Sequence, residues 1–226
     1  MRIDVAFTPQ EEVRAPLGIV VDVLRATSTI VQALASGYRR VLCCAEIDEA
    51  RALRAELPDS LVGGERTAIR VPGFDVGASP REFLEPRAQT LILTTTNGTG
   101  AILAAAETCD EVVLGSLLNL GAVVREARAR ATGVAVICAG FQGAFALDDA
   151  YCAGRIVAGL DGDRSDAAIA AALIASSFPD ASAGLNARTY GPPGLEEDIA
   201  FCAREDVLDV VPRFAGMHGP AAEIVA

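Results

Sequence analysis

Hydroxyl, amide and charged side chains gather directly after three apolar segments of the sequence, at residues 22–29, 94–100 and 115–119. Each of these junctions places Ser, Thr or Asn where a helix is expected to begin. The first backbone N–H groups of a helix are unpaired and lie at its positive end. Together, these donors and hydroxyls can bind a small anion such as phosphate. Helix capping, which also favours Ser, Thr and Asn, is the alternative for each junction.

Charged residues also occur in a segment rich in Gly and Pro, residues 65–80, which predicts a long loop. They include Glu65, Arg66 and Asp75. An arginine can donate two parallel hydrogen bonds to one oxyanion, so Arg66 and Arg25 of the first junction are candidates for binding a phosphate. Salt bridges to nearby carboxylates are the alternative for both arginines. A solvated surface loop is the alternative for the segment.

Two adjacent carboxylates, Asp148 and Asp149, stand where another helix is expected to begin. Magnesium binds one or two protein carboxylates and otherwise keeps water or phosphate oxygens. Asp148 and Asp149 are therefore candidate ligands, and Asp22, Glu65 and Asp75 are further ones. Capping of the helix and a favourable interaction with its dipole are the alternative for the pair.

Strand-like and helix-like segments alternate along the chain and would position these residues. Apolar, β-branched segments predict strands at 18–24, 39–44, 60–63, 89–95, 111–115 and 134–139, and a last strand at 207–211. Ala-rich segments of helical periodicity lie between most of them. This alternation predicts a single α/β domain over residues 1–226, with a mainly parallel sheet and helices on both faces. In such folds, ligands bind beyond the carboxyl ends of the strands, which is where the polar junctions lie.

The composition excludes several classes of function. The chain has 226 residues, a formal net charge of −11 and no lysine. Its negative charge argues against nucleic acid and anionic membranes as partners. Without lysine, neither a Schiff base nor the lysine-dependent phosphate loop can form. The single histidine, His218, excludes mechanisms that need two histidines.

We expect a cytoplasmic protein. The N-terminal residues lack the pattern of a signal peptide, and no apolar run approaches the roughly 18 residues of a membrane span. The six cysteines form no CxxC pair and mostly lie in apolar segments, which is typical of buried free thiols in a reducing compartment.

The sequence also lacks three phosphatase or hydrolase signatures. Leu24 stands where aspartyl-phosphate enzymes would carry a second Asp after Asp22, no cysteine has an arginine six residues later, and there is no GxSxG motif. Metal-assisted attack by water or hydroxide remains, with arginines and helix dipoles stabilising the phosphoryl group in the transition state.

The polar junctions and the loop, together with further segments along the chain, resemble the 2-phosphosulfolactate phosphatase family, known from coenzyme M biosynthesis. The resemblance extends in order over nearly the whole chain, through VDVLRATSTI (21–30), GGER (63–66), GFDVGASP (73–80), TTTNGT (94–99), GSLLN (115–119), AGFQG (139–143), LDDAYCAG (147–154) and EDIAFCAREDVLDVVP (197–212). The sequence departs from the family pattern at two positions. Asn is commoner where Ala78 stands, and Glu is commoner where Asp148 stands.

The resemblance implies a three-layer α/β/α sandwich and the Mg²⁺-dependent hydrolysis of 2-phospho-3-sulfolactate to 3-sulfolactate and phosphate. It carries functional roles onto the matching positions. We predict as catalytic residues Asp22, Arg25, Glu65 and Arg66. We predict as substrate-binding residues Ser28, Thr95, Thr96, Asn97, Gly98, Thr99, Ser116 and Asn119. We predict as Mg²⁺ ligands Asp22, Glu65, Asp75, Asp148 and Asp149.

Two alternatives remain open on the sequence. The protein can be a phosphatase for another small phosphorylated hydroxy acid, because a fold does not determine a substrate. It can also be a non-catalytic anion-binding protein, which would bind phosphate-like ligands without turnover. The Ala-rich helices are compatible with a homo-oligomer.

Overall fold

The computed structural model of the protein describes residues 1–130, 133–191 and 193–226. In this part of the chain, one sheet of eleven strands lies between helices, which confirms the predicted three-layer α/β/α sandwich. The strands are β1 (Arg2–Ala6), β2 (Ala15–Val21), β3 (Arg40–Cys44), β4 (Leu61–Arg66), β5 (Ile69–Arg70), β6 (Thr90–Thr94), β7 (Cys109–Gly115), β8 (Gly133–Cys138), β9 (Asp163–Arg164), β10 (Arg213–His218) and β11 (Ala221–Val225).

Eight α-helices lie in the same described ranges. They are α1 (Ala26–Ser36), α2 (Ile47–Glu56), α3 (Gly98–Thr108), α4 (Leu120–Arg130), α5 (Leu147–Ala158), α6 (Asp166–Ser176), α7 (Ala181–Asn186) and α8 (Glu196–Cys202). Two 3₁₀ turns, Pro80–Phe83 and Leu117–Asn119, connect neighbouring elements. No helix of the described residues is both long and apolar enough to cross a membrane.

The sheet consists of two parallel groups of strands joined by an antiparallel hairpin. Its order is β5-β4-β6-β3-β11-β10-β7-β2-β8-β1-β9. Parallel pairing holds β4, β6 and β3 together on one side and β7, β2, β8, β1 and β9 together on the other. The C-terminal hairpin, β10 and β11, is antiparallel to both β7 and β3. The end of the chain therefore completes the middle of the sheet.

Alternating side chains of the strands build a separate core on each face of the sheet, as the period of two requires. In β2, Leu17, Ile19 and Val21 point into one core, which α5 and α6 cover. Val20 points into the other core, where Ile30 of α1 packs. Because both faces are buried, the central strands are continuously apolar. This continuity made them readable in the sequence.

Three segments differ from the sequence prediction. The predicted strand at 207–211 is extended chain outside the sheet, and the last strands are instead β10 and β11. The first strand, β1, was not predicted. The predicted loop at 65–80 begins with a tight β4–β5 hairpin, in which Thr67 and Ala68 both have positive φ angles, 52° and 64°. Tight hairpins of this kind usually carry Asn-Gly, so the Thr-Ala pair contains no turn signal.

Candidate active site

A cleft opens where polar junctions follow β2, β4 and β6 and where α5 begins. Seven of the predicted site residues line this cleft, namely Asp22, Arg25, Glu65, Thr95, Thr96, Asn97 and Asp148. Phe141, after β8, and Arg188 and Tyr190, after α7, complete its wall. The structure thus brings together residues that lie more than 160 positions apart in the sequence.

Asp22 lies at the base of the cleft, directly before the first turn of α1. Its Oδ1 accepts a hydrogen bond from the Ala26 N–H at 3.1 Å, as an acidic residue at a helix start does. Gly98 packs against it so closely that a Cβ there would lie 2.5 Å from Asp22 Oδ2. The sequence analysis predicted Gly98 as a substrate-binding residue. In the structure, its missing side chain lets α3 begin beside Asp22.

The pKa of Asp22 is raised to about 7, chiefly by burial and also by the nearby charges of Asp148 and Glu65, against the lowering effects of the Ala26 hydrogen bond and the Arg25 charge. Burial likewise raises the pKa of Asp148, although Tyr190, which donates its phenol hydrogen bond to Asp148 Oδ1, opposes the change. In carboxylates that are withdrawn from water and gathered together, the negatively charged form is destabilised. A bound cation would neutralise that charge.

Glu65 holds the β4–β5 turn against the first residues after β6. Its Oε1 accepts a hydrogen bond from the Thr96 N–H at 2.7 Å, and its Oε2 accepts from the Thr96 hydroxyl at 3.2 Å and from the Ala68 N–H. Thr96 Oγ1 also accepts from the Thr67 N–H at 3.1 Å. These bonds keep Thr67 and Ala68 in their left-handed conformations, which cost energy for residues with a Cβ.

Arg25 enters the cleft from the turn before α1 and is anchored by two partners, of which Asp198 lies outside the cleft. Its Nη1 lies 2.6 Å from Asp198 Oδ2, and its Nη2 donates to the Ala68 carbonyl at 3.2 Å. Asp198, in α8, is buried and also accepts from the Ser79 hydroxyl at 2.6 Å. Two of the arginine's donor groups are therefore committed to the protein. The salt bridge that the sequence analysis named as the alternative for Arg25 is present, and the guanidinium still lines the cleft.

Arg66 and Asp75 do not line the cleft. Arg66 donates hydrogen bonds to the Glu65 and Ala45 carbonyls and to the Thr94 hydroxyl. Asp75 accepts from the Val62 N–H at 2.9 Å and pairs with Arg54, so it holds a loop rather than facing Asp22. Although burial acts to raise the pKa of Asp75, the hydrogen bonds from the Val62 N–H and the Arg54 guanidinium hold it below its usual range. The structure therefore gives both residues structural contacts in place of the predicted catalytic and metal-binding ones.

Asp149 lies just behind the cleft and not on its surface. Its Oδ1 accepts from the Val23 N–H at 2.9 Å and its Oδ2 accepts from the Gly140 N–H at 3.0 Å. Both oxygens are thus occupied by backbone groups that follow β2 and β8. The pKa of Asp149 is raised well above its usual range by burial and by the charges of Asp148 and Asp22. Asp149 ties two strand ends together and leaves Asp148 as the carboxylate of the pair that lines the cleft.

The side chains of the remaining predicted substrate-binding residues bond to other parts of the protein. Ser28 donates to the Val23 carbonyl at 2.8 Å, and Thr99 bonds reciprocally with Thr95 through the side chain of each. Ser116 and Asn119 bond to each other after β7. None of these three residues, Ser28, Ser116 and Asn119, lines the cleft, and Thr99 is fully buried behind Thr95. The capping alternative therefore describes the contacts of Thr99, Ser116 and Asn119, whereas the Ser28 hydroxyl donates to a backbone carbonyl instead.

The sequence analysis missed Arg188, Tyr190 and Asp198. Arg188 and Tyr190 belong to the loop after α7, between the family-like segments 147–154 and 197–212, and the tetrapeptide Arg-Thr-Tyr-Gly that contains them matches no motif. Asp198 lay within a family-like segment, but its partner Arg25 is 173 positions away. Ala78, where the family pattern more often has Asn, lines the cleft.

The donor set of the cleft fits a hard divalent cation. Among the described residues, no three His, Cys, Asp or Glu side chains form a metal-binding group. Asp22 and Asp148, however, both line the cleft, and Mg²⁺ needs only one or two protein carboxylates when water and phosphate supply the other oxygens. Glu65 and Asp149 have their oxygens in hydrogen bonds with the protein. Asp22 and Asp148 are therefore the residues that would hold the ion.

The cleft at the strand ends of this three-layer α/β/α protein contains the buried carboxylates of Asp22, Glu65 and Asp148 and two arginines, a set of side chains that suits the binding of a small anion together with a cation. A family model described as 2-phosphosulpholactate phosphatase matches residues 5–216. The chain belongs to the 2-phosphosulfolactate phosphatase family, and its enzyme class is that of the phosphoric monoester hydrolases.

Similar proteins from several bacteria support this assignment. The chain is 38% identical to a probable 2-phosphosulfolactate phosphatase of Pseudothermotoga lettingae, over 94% of this chain and 95% of the relative. It is 37% identical to one of Symbiobacterium thermophilum, over 93% and 96%. It is 36% identical to one of Thermus thermophilus, over 98% of each chain.

Proposed function

We propose that this protein hydrolyses 2-phospho-3-sulfolactate to 3-sulfolactate and phosphate and that the reaction depends on Mg²⁺. The observation that carries the proposal is the placement of Asp22 and Asp148 in one cleft with the guanidinium of Arg25. The names of the family and of the relatives support the substrate. A substrate with phosphate, sulfonate and carboxylate groups needs both a cation and arginines to compensate its charge.

Each cleft residue has a distinct role in this proposal. Asp22 and Asp148 hold the ion, which supplies Lewis-acid polarisation of a phosphoryl oxygen when it is bound. The Tyr190 phenol orients Asp148 by donating a hydrogen bond to its Oδ1. Arg25, anchored by Asp198, stabilises negative charge on the phosphoryl oxygens in the transition state. Because Asp198 and Ala68 hold the guanidinium beforehand, Arg25 loses little freedom on binding.

The reaction exchanges one phosphorus–oxygen bond for another. The oxygen of a water molecule bonds to phosphorus, while the bond between phosphorus and the C2 oxygen of the substrate breaks. One proton of that water passes to the leaving oxygen, which becomes the hydroxyl of 3-sulfolactate. Glu65 contributes indirectly in this proposal, by fixing the Thr67–Ala68 turn that accepts the hydrogen bond of Arg25.

The test is phosphate release from 2-phosphosulfolactate with Mg²⁺ and with EDTA, beside 2-phospholactate and 2-phosphoglycerate. We expect release that requires Mg²⁺ and prefers the sulfonate. Equal release from all three esters would retain the phosphatase and reject the substrate. If none of the three is hydrolysed with Mg²⁺, the protein is an anion-binding protein and the proposed function is wrong.

We also propose a cytoplasmic location, which the six free cysteines support, since disulfides are rare in that compartment. The participation of the reaction in coenzyme M biosynthesis stays a prediction from the family resemblance. The homo-oligomer stays a prediction as well.

A further inference from the structure

The loop after α7 contributes one wall of the cleft and a second arginine. Among the described residues that line the cleft, Arg25 and Arg188 are the basic ones. Arg188 is half-buried, and it stands two residues after the end of α7. The assignment of the cleft gives a role to Arg25 and none to Arg188. The two guanidinium groups differ in how their donors are used.

Arg188 has donor capacity that the protein does not use. Its Nε is fully buried and has no hydrogen-bond partner among the described residues. Its Nη1 donates to the Tyr190 carbonyl, and among the described residues Arg188 makes no salt bridge, although its charge lowers the pKa of Asp148. A buried, unpaired donor on a charged group costs free energy. Such a cost is recovered when a ligand supplies the missing acceptor. Arg25, by contrast, is already paired with Asp198.

The fold holds Arg188 in a defined position. Gly191 has a φ of +91°, and a Cβ there would lie 2.4 Å from Arg188 Nη1, so the backbone of the loop turns closely around the guanidinium. The next aromatic residue, Tyr190, stacks on Phe141 with ring centroids 4.7 Å apart and an interplanar angle of 27°. Tyr190 also bonds to Asp148. Arg188 therefore bonds to the carbonyl of a residue, Tyr190, whose side chain is itself held in the cleft by Phe141 and Asp148.

We propose that Arg188 binds the anionic group of the substrate that does not react, its sulfonate or carboxylate, and thereby makes the enzyme specific for phosphate esters with a further negative charge. The inference rests on the proposed function of the same cleft. A planar guanidinium suits both groups, because each presents two oxygens to parallel N–H donors. The phosphoryl group would lie at Asp22, Asp148 and Arg25, and the second anion at Arg188. Arg188 is then a specificity-determining residue.

The experiment measures the binding of two ligands that separate the subsites. One ligand is 3-sulfolactate, which has the second anion but no phosphate, and the other is inorganic phosphate. Both are titrated calorimetrically, with Mg²⁺ present, into the wild type, Arg188→Met and Arg188→Lys. Arg51→Met is the matched control, because Arg51 is an exposed arginine of α2 that pairs with Asp48 outside the cleft.

We expect Arg188→Met to weaken 3-sulfolactate binding about 10- to 100-fold, as the loss of charged hydrogen bonds does, and to leave phosphate binding within about twofold. Arg188→Lys should fall between the wild type and Arg188→Met, because lysine keeps the charge but loses the planar fork. Arg51→Met should change neither affinity. If 3-sulfolactate binds the wild type and Arg188→Met alike, or if both ligands weaken equally, the proposal is wrong.

Two further measurements complete the test. Lactate carries only the carboxylate and 2-hydroxypropane-1-sulfonate only the sulfonate. Arg188 recognises the group of the ligand whose affinity falls in Arg188→Met. Failure of the wild type to bind 3-sulfolactate would overturn this proposal. Failure of the wild type to release phosphate from any ester would instead overturn the proposed function, and the binding result would stand independently. The thermal unfolding midpoint of each variant shows whether it is folded, and Arg188→Lys provides the test if Arg188→Met is not.

Discussion

The junctions after β6 and β7 have similar residues and different surroundings. After β6, the side chains of Thr95 and Thr99 cap α3 reciprocally, while Thr96 and Asn97 line the cleft and bond to the β4–β5 turn and to the Gln142 N–H. After β7, Asn119 accepts from the Ser116 N–H and hydroxyl and donates to two carbonyls. The first junction has polar groups beyond what its cap requires. The second uses all of its side-chain groups for the cap and for the chain above it.

The segment before β10 accounts for the difference. Residues 206–212 lie over the end of β7, where the Asp206 N–H donates to the Leu117 carbonyl, the Leu208 N–H to the Leu118 carbonyl and Asn119 Nδ2 to the Val210 carbonyl. This covered junction cannot meet a ligand. The β6 junction faces the β4–β5 turn and the residues after β8 instead, and these leave a cleft. Similar caps thus become a site or a structural contact according to what packs above them.

The largest expected effect is at the carboxylate that lies against the β6 junction. Asp22→Asn should lower kcat/KM for 2-phosphosulfolactate about a thousandfold, which corresponds to about 4 kcal/mol, because it removes a charged ligand of the cation. Steady-state phosphate release measures this loss. Asp75→Asn is the matched control and should retain activity within a few-fold, since Asp75 pairs with Arg54 away from the cleft. Equal losses in both variants would contradict the division between cleft and loop.

The pH dependence of folding should report the same carboxylate. The pKa of Asp22 is raised from 3.8 to about 7 in the folded protein, chiefly by burial. The folded state therefore binds this proton more tightly than the unfolded state. The stabilising contribution is fully present below pH 4 and is lost as the pH rises through about 7, with a slope of at most about 1.4 kcal/mol per pH unit.

Urea unfolding in EDTA between pH 4 and pH 8 measures this contribution as the difference between the wild type and Asp22→Asn. We expect the wild type to lose stability relative to the variant across this range, and Mg²⁺ to restore part of it at pH 8. A difference that is constant with pH would show that Asp22 is not protonated in the folded protein near neutrality.

At the covered junction, Asn119→Ala should affect stability and leave catalysis unchanged. The substitution leaves the Ser116 N–H and the Leu114 and Val210 carbonyls without their buried partner. We expect the free energy of unfolding to fall by about 2–3 kcal/mol, and kcat/KM below the unfolding temperature to stay within about twofold. A loss of activity above tenfold, in a variant that is folded, would restore the predicted substrate-binding role of Asn119.

The smallest expected effect is that of Thr96→Val at the β6 junction. Valine keeps the shape of the side chain but removes its hydrogen bonds to Glu65 and from Thr67. We expect the free energy of unfolding to fall by about 1 kcal/mol and kcat/KM to fall about tenfold, because the turn that supports Arg25 loosens. Thr108→Val, at the other end of α3, is the control and should leave kcat/KM unchanged. An unchanged kcat/KM for Thr96→Val would place the two junctions in the same structural class.

The sequence predicted the strands that are buried on both faces, such as β2 and β8, because their apolar character is local and continuous. It did not predict β10 and β11. β10 contains Gly216 at an irregularity in its pairing, and its place in the sheet depends on β3 and β7 far earlier in the chain. The apolar residues 207–211, which were predicted as a strand, cover the end of β7 instead.

The candidate site shows the same division between local and distant information. The sequence indicated Asp22, Glu65, Thr96 and Asp148, because strand ends and helix starts can be recognised locally. Arg188 reaches the cleft only through the packing of the loop after α7, and a single arginine outside any motif contains no such signal.

By itself, the sequence determined the α/β class, the family and the strand ends at which polar groups gather. These features can be recognised from the types and the spacing of residues within short segments of the chain. Only the tertiary structure decided which gathered groups line a cleft, which are covered by the C-terminal chain, and which arginine keeps free donors. Convergence and burial are set by contacts between distant segments, and the free energy of a polar group depends on whether those contacts leave it exposed, paired or alone.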